Sequence, residues 1–311
     1  MKRIQYRRYG GPEEMVLADF ALPPPGADEV LVRVCAAAIN PVDWKIRRGE
    51  MRLMTGRAFP RAMGTAFSGI VESVGSRASR IRPGDQVFGS VPMKRSGAFA
   101  DHLITNEDLV AALPAGLPFE QAACIPVAAV TAWRGLVLSA RIQAGQKVFV
   151  SGCSGAVGRA AVQIAKMHGA SVAGNCGAAD MEAARMLGVE PVLDYARDGL
   201  ERLYGQFDAV FDTSGNLSWK DGMALLSSSR GRFLDINMDP ARMLRGLLSP
   251  RYKAVMGVQT IPILGALAAA VIEGKLDFEI SRTATLPDAI ALITDVEQGK
   301  KGRGRAVLLM P

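Results

Sequence analysis

The chain has 311 residues, with 37 lysines and arginines against 30 aspartates and glutamates, for a formal net charge of +7. Hydrophobic residues make up 49% and charged residues 22%, which excludes a disordered chain and allows one large domain or two domains with separate cores. The positive charge is compatible with nucleic acid, an anionic membrane or an acidic or phosphorylated partner. Because the basic residues are spread out without interleaved aromatics, we expect a solvated basic surface and no nucleic-acid partner.

The four cysteines are scattered, form no CxxC pair and are accompanied by only two histidines. This pattern argues against structural zinc and against a disulfide framework, so we expect reduced, mostly buried thiols. The N-terminus lacks the apolar run of a secretory signal, and the most apolar later segment, "IPILGALAAAVIEG", is too short to span a bilayer. We therefore expect a cytoplasmic protein with no membrane partner.

The first third of the chain reads as β-structure. In "EVLVRVCAAAINPVDW", Val30, Val32 and Val34 alternate with other residues, which is typical of a half-buried strand. The short pieces "GIVESVG" and "DQVFGSV" follow, punctuated by "RPGD" and several glycines. The pattern predicts a compact β-barrel or sandwich.

From "LPFEQAACIPVAAVTAWRGL" onward, helices and strands alternate. "KVFVSG" predicts a strand, the next residues a helix from about Ala156 to His168, and "SVAGN", "MEAARMLG" and "PVLDY" a strand, a helix and a strand. Further strands are predicted at "FDAVFDTSG", "GRFLDIN" and "SPRYKAVMGVQTI", followed by a helix over "IPILGALAAAVIEGKL". This alternation is typical of a parallel sheet with helices on both faces. The tail then returns to strand, helix and strand and is predicted to rejoin the first domain.

A glycine loop, "SGCSGAVG", stands between the predicted strand and helix. Gly152 permits a tight turn, Gly155 lets the backbone approach a pyrophosphate, and Gly158 lets the helix pack close to the sheet. Backbone amides at the helix start then face the phosphate charge. The further residues assigned to this cofactor site are Ser154, Ala156 and Val157. A glycine turn that binds nothing is the alternative, and the surrounding βα alternation favours the nucleotide.

The second strand ends in Asn175 rather than in an acidic residue. A site that prefers NAD places Asp or Glu there to bind the ribose 2′-hydroxyl, and the missing acid removes the repulsion of a 2′-phosphate. The missing acid does not by itself supply a positive partner for that phosphate. The prediction of NADPH as the cofactor, with NADH left open, therefore rests also on Tyr195 and on the family resemblance given below.

The order of motifs resembles the medium-chain dehydrogenase/reductase superfamily, in its zinc-free quinone oxidoreductase branch. The motifs are "INPVDWKIRRG", "MGTAFSGIVESVG", "RPGDQVFG", "SGAFADHLI", "LPFEQAACIPVAAVTAW", "SGCSGAVG", "VLDY" and "FDTSGN". The resemblance implies a GroES-like β-barrel catalytic domain over residues 1–122 and 275–311, and a Rossmann domain with a doubly wound parallel sheet over 123–274. NADPH would lie in the cleft between them. It also implies hydride transfer to quinones or to the β-carbon of α,β-unsaturated carbonyl compounds.

The resemblance assigns catalytic positions to Asn40, Asp43 and Thr131. Asn40 would donate a hydrogen bond to a carbonyl oxygen or to the ribose, and Asp43 would orient neighbouring groups or relay a proton. Two structural alternatives stay open: Asp43 as a turn residue that bonds its own backbone, and Thr131 as a hydroxyl in a helix interior.

Further cofactor contacts are implied after the later strands. Tyr195 matches an aromatic near the adenosine 2′-phosphate, Ser214 and Gly215 a passage under the adenine or ribose, and Asn237 a position near the nicotinamide. Arg305 stands where many relatives have Lys, and a solvated surface charge is favoured there over a cofactor contact.

The same resemblance implies that no metal is bound. Asn40 stands where zinc-dependent relatives have a Cys ligand, and Thr65 and Ala66 stand where they have a His-Glu pair. Two departures from the branch are the missing Tyr after the "RRG" turn and the absence of Ser or Thr with a basic residue after the second strand. They keep open a cofactor-binding protein that catalyses a non-redox step, such as cyclisation or isomerisation, or that serves as an NADPH-dependent binding partner.

The predicted partners are a small-molecule substrate and a second copy of the chain. The Arg- and Met-rich segment "RRGEMRLMTGRAFPR" favours an acidic or carrier-bound substrate. The resemblance implies a homodimer formed by pairing the edge strand "AVMGVQT" across a twofold axis.

Overall fold

The computed structural model describes residues 1–237, 239–300, 302 and 304–310. The chain divides into two compact units, the first formed by Met1–Val127 with Gln259–Pro311 and the second by Ala128–Val258. The strands of the described residues are, in chain order, β1 (Lys2–Tyr6), β2 (Val16–Asp19), β3 (Glu29–Ala38), β4 (Arg61–Ala62), β5 (Ala66–Val74), β6 (Gln86–Ser90), β7 (His102–Asn106), β8 (Val110–Ala112), β9 (Lys147–Ser151), β10 (Ser171–Cys176), β11 (Val189–Asp194), β12 (Ala209–Asp212), β13 (Arg232–Asp235), β14 (Tyr252–Ala254), β15 (Ile280–Thr285) and β16 (Arg305–Leu309). The α-helices are α1 (Pro41–Arg47), α2 (Arg52–Thr55), α3 (Phe119–Cys124), α4 (Val130–Trp133), α5 (Ala156–Met167), α6 (Met181–Met186), α7 (Trp219–Ala224), α8 (Pro240–Leu247), α9 (Ile261–Ile272) and α10 (Ala289–Glu297).

The first unit contains two sheets. A three-stranded sheet has the order β2-β1-β4, and a larger sheet has the order β15-β16-β3-β5-β6-β8, with β7 paired to β3. Val30, Val32 and Val34 are fully buried while the residues between them are partly exposed, so the predicted half-buried strand is confirmed. The closing strand β16 lies antiparallel to β3, which brings the end of the chain beside Ala36–Ala38.

The second unit contains a six-stranded parallel sheet in the order β11-β10-β9-β12-β13-β14. Val148, Phe149 and Val150 of the central strand are fully buried, as expected for a strand covered on both faces. The strand order reverses between β9 and β12. In sheets of this kind ligands bind at the carboxyl ends of the strands beside that reversal.

The second unit ends at residue 258, whereas the predicted Rossmann domain ended at residue 274. The boundary at the start of the second unit differs less, since it follows residue 127 and was predicted after residue 122. Helix α9 follows the last strand of the parallel sheet, as predicted, but it belongs to the first unit, whereas the predicted limits placed it in the Rossmann domain. There it packs on β8, and just before it the side-chain amide of Gln259 donates a hydrogen bond to the Leu109 carbonyl at 2.6 Å. These contacts join residues that are far apart in the chain, so the local sequence pattern does not predict them.

One helical stretch among the described residues, Phe119–Ala140, is long and apolar enough to cross a membrane by length and composition. It is not the segment that the sequence singled out. Within its most apolar window, 67% of the residues are buried inside the protein, as in the core helices of many proteins that pass the same test.

The expectation of a solvated basic surface is wrong for Arg47 and Arg305, which lie in the two densest basic groups of the sequence. Arg47 is 0% exposed, and its Nη2 lies 2.6 Å from both carboxylate oxygens of Glu297. Arg305 is 7% exposed within β16. A buried guanidinium needs such partners because removing its charge from water is costly. Three of the four free cysteines, Cys124, Cys153 and Cys176, are buried as predicted.

Candidate active site

Asn40 and Asp43 lie together at the start of helix α1. Asn40 is the N-cap residue, in an extended conformation, and Pro41 begins the helix without needing an amide hydrogen. The Asp43 carboxylate accepts a hydrogen bond from the Asn40 backbone N–H at 2.8 Å, a capping interaction across the first turn. The local backbone bond considered for Asp43 is therefore present, and it fixes the carboxylate inside the unit.

The second Asp43 oxygen accepts a hydrogen bond from the Thr65 hydroxyl, 2.8 Å away. Asp43 is only 2% exposed. Burial raises the pKa of this carboxyl to about 7, against the opposing effects of the Asn40 and Thr65 hydrogen bonds and of the Arg305 charge. A group that titrates near neutrality is suited to hold and release a proton.

Arg305 contacts Asn40, which corrects the prediction of a surface charge. Its Nη2 donates to Asn40 Oδ1 at 2.7 Å, and Asn40 Nδ2 in turn donates to the Ala38 carbonyl at 3.0 Å. These two bonds determine which end of the amide is oxygen and which is nitrogen. Arg305 Nε lies buried without a hydrogen-bond partner. The guanidinium is thus a buried cation held beside Asn40. The sequence analysis considered a cofactor contact for Arg305 only as the less favoured alternative to a surface charge.

Replacing Arg305 with methionine is expected to lower the free energy of unfolding by about 2 kcal/mol, because Asn40 Oδ1 would lose its donor in a buried place. Arg305→Lys restores a positive donor and is expected to lose less than about 1 kcal/mol. Urea unfolding monitored by tryptophan fluorescence measures both changes. Arg57→Met, at an exposed residue, is the control; equal effects of all three substitutions would contradict the role given to Arg305.

The glycine loop of the second unit has the geometry that its sequence predicts. Gly152 has φ +77°, and a Cβ there would lie 2.9 Å from Ser214 Cβ. A Cβ at Gly158 would lie 2.1 Å from the Gly152 carbonyl oxygen, so only glycine lets the helix pack this close to the loop. A Cβ at Gly155 would meet a single atom, the Gly152 oxygen at 3.3 Å, and would otherwise enter open space.

Gly155 is the N-cap of α5, and the predicted residues Ala156 and Val157 form the first turn of that helix. The first backbone N–H groups of a helix have no intrahelical acceptor, and they lie at the positive end of its dipole. Ser154 precedes the cap and is partly exposed, as are Ala156 and Val157. The start of the helix thus forms a cradle for an anionic group. A side chain at residue 155 would fill this cradle.

Asn175 supports the loop from the neighbouring strand. Its Oδ1 accepts a hydrogen bond from the Gly152 backbone N–H at 3.0 Å, and the residue is 8% exposed. Tyr195 follows β11, and its hydroxyl oxygen lies 3.4 Å from where a Cβ of Gly177 would stand. The ring is 68% exposed. An exposed aromatic therefore borders the end of β10, the place predicted for the 2′-phosphate.

Ser214, Gly215 and Asn237 lie together at the ends of β12 and β13. A Cβ at Gly215 would be 3.6 Å from the Asn237 side chain. Asp212 Oδ1 accepts hydrogen bonds from the Ser214 hydroxyl at 2.9 Å and from the Gly215 backbone N–H at 2.9 Å. The predicted residues of this unit thus gather at the carboxyl edge of one sheet.

Thr131 lies in α4 and is 8% exposed. Its helix is flanked on both sides by π-helical segments, over 125–129 and 134–140. Such wide turns inside α-helices are frequent at functional sites. This position in α4 is compatible with both roles considered for Thr131. One is a hydroxyl in a helix interior, and the other is a catalytic residue.

Two family profiles match the chain: an alcohol dehydrogenase GroES-like domain over residues 26–115, and a zinc-binding dehydrogenase domain over residues 156–257. A chloroplastic quinone-oxidoreductase homolog from Spinacia oleracea is 33% identical over 254 residues, which cover 78% of this chain and 77% of that protein. The chain belongs to the medium-chain dehydrogenase/reductase superfamily.

Within this superfamily the chain falls in the quinone-oxidoreductase-like branch, and the predicted fold, a GroES-like domain with a doubly wound Rossmann domain, is confirmed. The quinone oxidoreductase of Coxiella burnetii superposes with a TM-score of 0.91 at 27% identity, over 100% of this chain and 99% of that one. An NADPH-dependent alkenal/one oxidoreductase of Arabidopsis thaliana is 35% identical over 224 residues, 69% of this chain and 58% of that protein.

The residues of this dehydrogenase/reductase do not fit the zinc ion for which one matching profile is named. Among the described residues, no group of three or more His, Cys, Asp or Glu side chains is placed to hold a metal ion. Asn40 binds the Arg305 cation, and Thr65 binds Asp43. A positive guanidinium at this place would repel a second cation.

Tyr9 is a residue that sequence reasoning missed. Its ring packs on the "RRG" turn, since a Cβ at Gly49 would lie 2.9 Å from Tyr9 Cγ, and its hydroxyl donates to the Gly56 carbonyl. A tyrosine from the N-terminal end therefore covers the turn after which relatives carry their own tyrosine. The sequence offers no signal for this contact, because it joins residues about forty positions apart.

Proposed function

We propose that the protein is an NADPH-dependent, zinc-independent reductase that transfers hydride to a quinone or to the C=C bond of an α,β-unsaturated carbonyl compound. The relatives named above are a quinone-oxidoreductase homolog and an NADPH-dependent alkenal/one oxidoreductase. The observation that carries the proposal is the cradle at Gly155, at the carboxyl edge of a parallel sheet. These relatives are named for redox reactions and give no support to a non-redox step or to a binding function alone.

The residues of the second unit fit a pyridine dinucleotide. The amides at the start of α5 would hold the pyrophosphate, because they point out of the helix at its positive end and no side chain blocks them at Gly155. Ser214, Gly215 and Asn237 would line the adenosine and nicotinamide portions. When bound, NADPH supplies the hydride and sets the redox chemistry.

The preference for the 2′-phosphate rests on residues at the end of β10. Asn175 carries no charge, so it would not repel a phosphate, and its Oδ1 is occupied by the loop. The exposed Tyr195 ring offers a surface and a hydroxyl donor beside it. NADH lacks the phosphate and would lose these contacts, which supports NADPH as the working cofactor.

Asn40 is proposed to stabilise the negative charge that develops on the substrate oxygen. Its Nδ2 carries two hydrogens, of which one is used by the Ala38 carbonyl. Because Arg305 Nη2 donates to Oδ1, the amide is polarised and its remaining N–H becomes a stronger donor. A fixed donor that faces developing charge is a large contributor to catalysis.

Asp43 is proposed to hold the proton that complements the hydride. With a pKa near 7, its carboxyl is protonated in part of the molecules at neutral pH. The Thr65 hydroxyl, bonded to Asp43, is the group through which that proton would be exchanged. This assignment replaces the tyrosine that is absent after the "RRG" turn.

Assembly, substrate charge and location complete the proposal. We propose a homodimer that pairs the edge segment "AVMGVQT" across a twofold axis, a cytoplasmic location, and a substrate that is acidic or carrier-bound. The prediction that this whole segment is a strand is wrong, since edge strand β14 ends at Ala254, the first residue of the segment. The substrate charge is supported by Arg52 and Arg57, both exposed, in the segment that follows the "RRG" turn. Light scattering of the purified protein tests the dimer, and a monomeric mass would overturn it.

The decisive experiment mixes the purified protein with NADPH and a panel of quinones and enones, and follows cofactor absorbance with product analysis. We expect oxidation of NADPH with a matched amount of reduced product for at least one class of acceptor. Bound NADPH with no oxidation across the panel would overturn the reductase function. NADH in parallel tests the cofactor preference, for which a lower KM with NADPH is expected.

A further inference from the structure

Two buried carboxylates lie side by side beneath the loops that were predicted to carry the cofactor. Asp212 ends β12 and Asp235 ends β13, and the two residues are register partners on neighbouring parallel strands. Both are 0% exposed. Two like charges in a buried place repel each other, so one of them needs a proton or a cation close by.

Each carboxylate organises one loop. Asp212 Oδ1 holds Ser214 and Gly215, and its Oδ2 accepts the Leu217 backbone N–H at 3.1 Å. Asp235 Oδ1 accepts the Asn237 backbone N–H at 2.7 Å. The two loops proposed to line the dinucleotide therefore depend on the orientation of these two side chains.

Arg242, on helix α8, joins the two carboxylates. Its Nη1 lies 2.9 Å from Asp235 Oδ2 and 3.3 Å from Asp212 Oδ2, and its Nη2 donates to the Leu217 carbonyl at 2.5 Å. The helix is itself fixed at this end, since the Asp239 side chain accepts the Arg242 backbone N–H at 2.8 Å. A planar fork with several donors suits this three-way contact.

We propose that Arg242 is a positioning residue for the dinucleotide: by bridging Asp212 and Asp235 it holds both cofactor-lining loops in the binding conformation. This inference rests on the proposed function, because it takes those loops to be the cofactor site. Arg242 acts through the two aspartates, and the sequence analysis assigned it no role.

The charged and titratable groups around Asp235 fit this role. These groups are Asp212 of β12, Arg242 and Asp239 of α8, and Tyr252 of β14. The Tyr252 hydroxyl donates a hydrogen bond to Asp235 at 3.2 Å. Burial raises the pKa of Asp235, and the Asp212 charge acts in the same direction, whereas the Arg242 hydrogen bond opposes both. Without Arg242 the pKa of Asp235 would rise further, because the hydrogen bond that opposes its burial would be lost.

The test compares Arg242→Met with Arg245→Met, a matched control one turn further on the same helix at an exposed residue. NADPH dissociation constants are measured by fluorescence titration, and hydrogen exchange is followed in residues 213–217 and 236–237. We expect Arg242→Met to weaken NADPH binding about 10-fold or more and to speed exchange in both loops. Arg245→Met should match the wild type in both measurements.

A pH series separates positioning from a general loss of stability. Burial raises the pKa of Asp235, so at lower pH a proton on this carboxyl replaces part of the lost cation, and the ratio of variant to wild-type dissociation constants is expected to rise as the pH rises. A ratio that is large but independent of pH would overturn the proposed role of the carboxylate pair.

The wild type is titrated first. If it binds no pyridine dinucleotide, the proposed function itself fails; if it binds NADPH and Arg242→Met binds equally well, only the inference fails. Should Arg242→Met not fold, Arg242→Lys decides, because an ammonium group cannot make all three contacts. A dissociation constant equal to that of the wild type would then overturn the proposal.

Discussion

Valine in place of Gly155 is expected to weaken NADPH binding about 100-fold, or about 2.7 kcal/mol, while the protein stays folded. The backbone at this N-cap is extended, which valine adopts readily, and a Cβ meets only the Gly152 oxygen at 3.3 Å. The branched side chain would stand in the cradle and keep a phosphate from the amides of α5. Fluorescence titration with NADPH measures the effect, and thermal unfolding checks that the loss of stability stays within about 1 kcal/mol.

The matched control is Gly265→Val. Gly265 is exposed in helix α9, and no atom lies within 4 Å of the position that its Cβ would occupy. This variant should bind NADPH as the wild type does. Undiminished NADPH affinity in a folded Gly155→Val protein would exclude the amides of α5 as the phosphate site.

The wild type is expected to lose roughly 3–4 kcal/mol of stability between pH 4 and pH 8, and asparagine in place of Asp43 is expected to remove this loss. In the folded protein the carboxyl keeps its proton up to a pKa of about 7, whereas in the unfolded chain it releases the proton at its ordinary, lower value. The folded state therefore binds more protons across this range, and stability falls as the pH rises. Urea unfolding at pH 4, 6 and 8 measures the change.

Asp19→Asn serves as the control for this series. Asp19 is exposed at the end of β2, so its substitution should leave the pH dependence of the wild type in place. If Asp43→Asn keeps the full decline in stability toward pH 8, the titration belongs to another group. Asp43 would then be ionised throughout and could not hold the proton proposed for it.

Local patterns sufficed for the elements that carry the cofactor cradle. The apolar run of β9, the three glycines and the helix after them are contiguous in the chain, so their geometry follows from φ/ψ preferences and from the small space at Gly158. The alternation of strands and helices likewise predicted the parallel sheet, because each βα unit is a local structure.

The polar network around Asn40 could be predicted only in part. Asn40 and Asp43 were assigned from the family resemblance of the motif "INPVDW", which contains both of them. Arg305 was assigned to the surface, because nothing in "GKKGRGR" shows that β16 pairs with β3 and buries this side chain beside Asn40. The raised pKa of Asp43 comes from the burial of its own carboxyl, which could not be inferred from its motif.

The sequence contains an indication of the Asp212–Arg242–Asp235 contact. Both aspartates are the last residues of buried strands, in "VFD" and "FLD", and a carboxylate at such a place requires partners. The cation that satisfies them comes from α8, whose position depends on packing against β14. Sequence alone therefore predicts the need for a partner and not its identity.

By itself the sequence determined the superfamily, the two kinds of domain, the glycine loop and the residue types at the ends of the strands, because these depend on contacts between near neighbours in the chain. Only the tertiary structure decided that Arg305 and Arg47 are buried, that Tyr9 covers the turn at Gly49, and that Arg242 joins two strands. The physical reason is that burial and charge pairing are set by residues far apart in the chain, whose approach depends on how the sheets and helices pack.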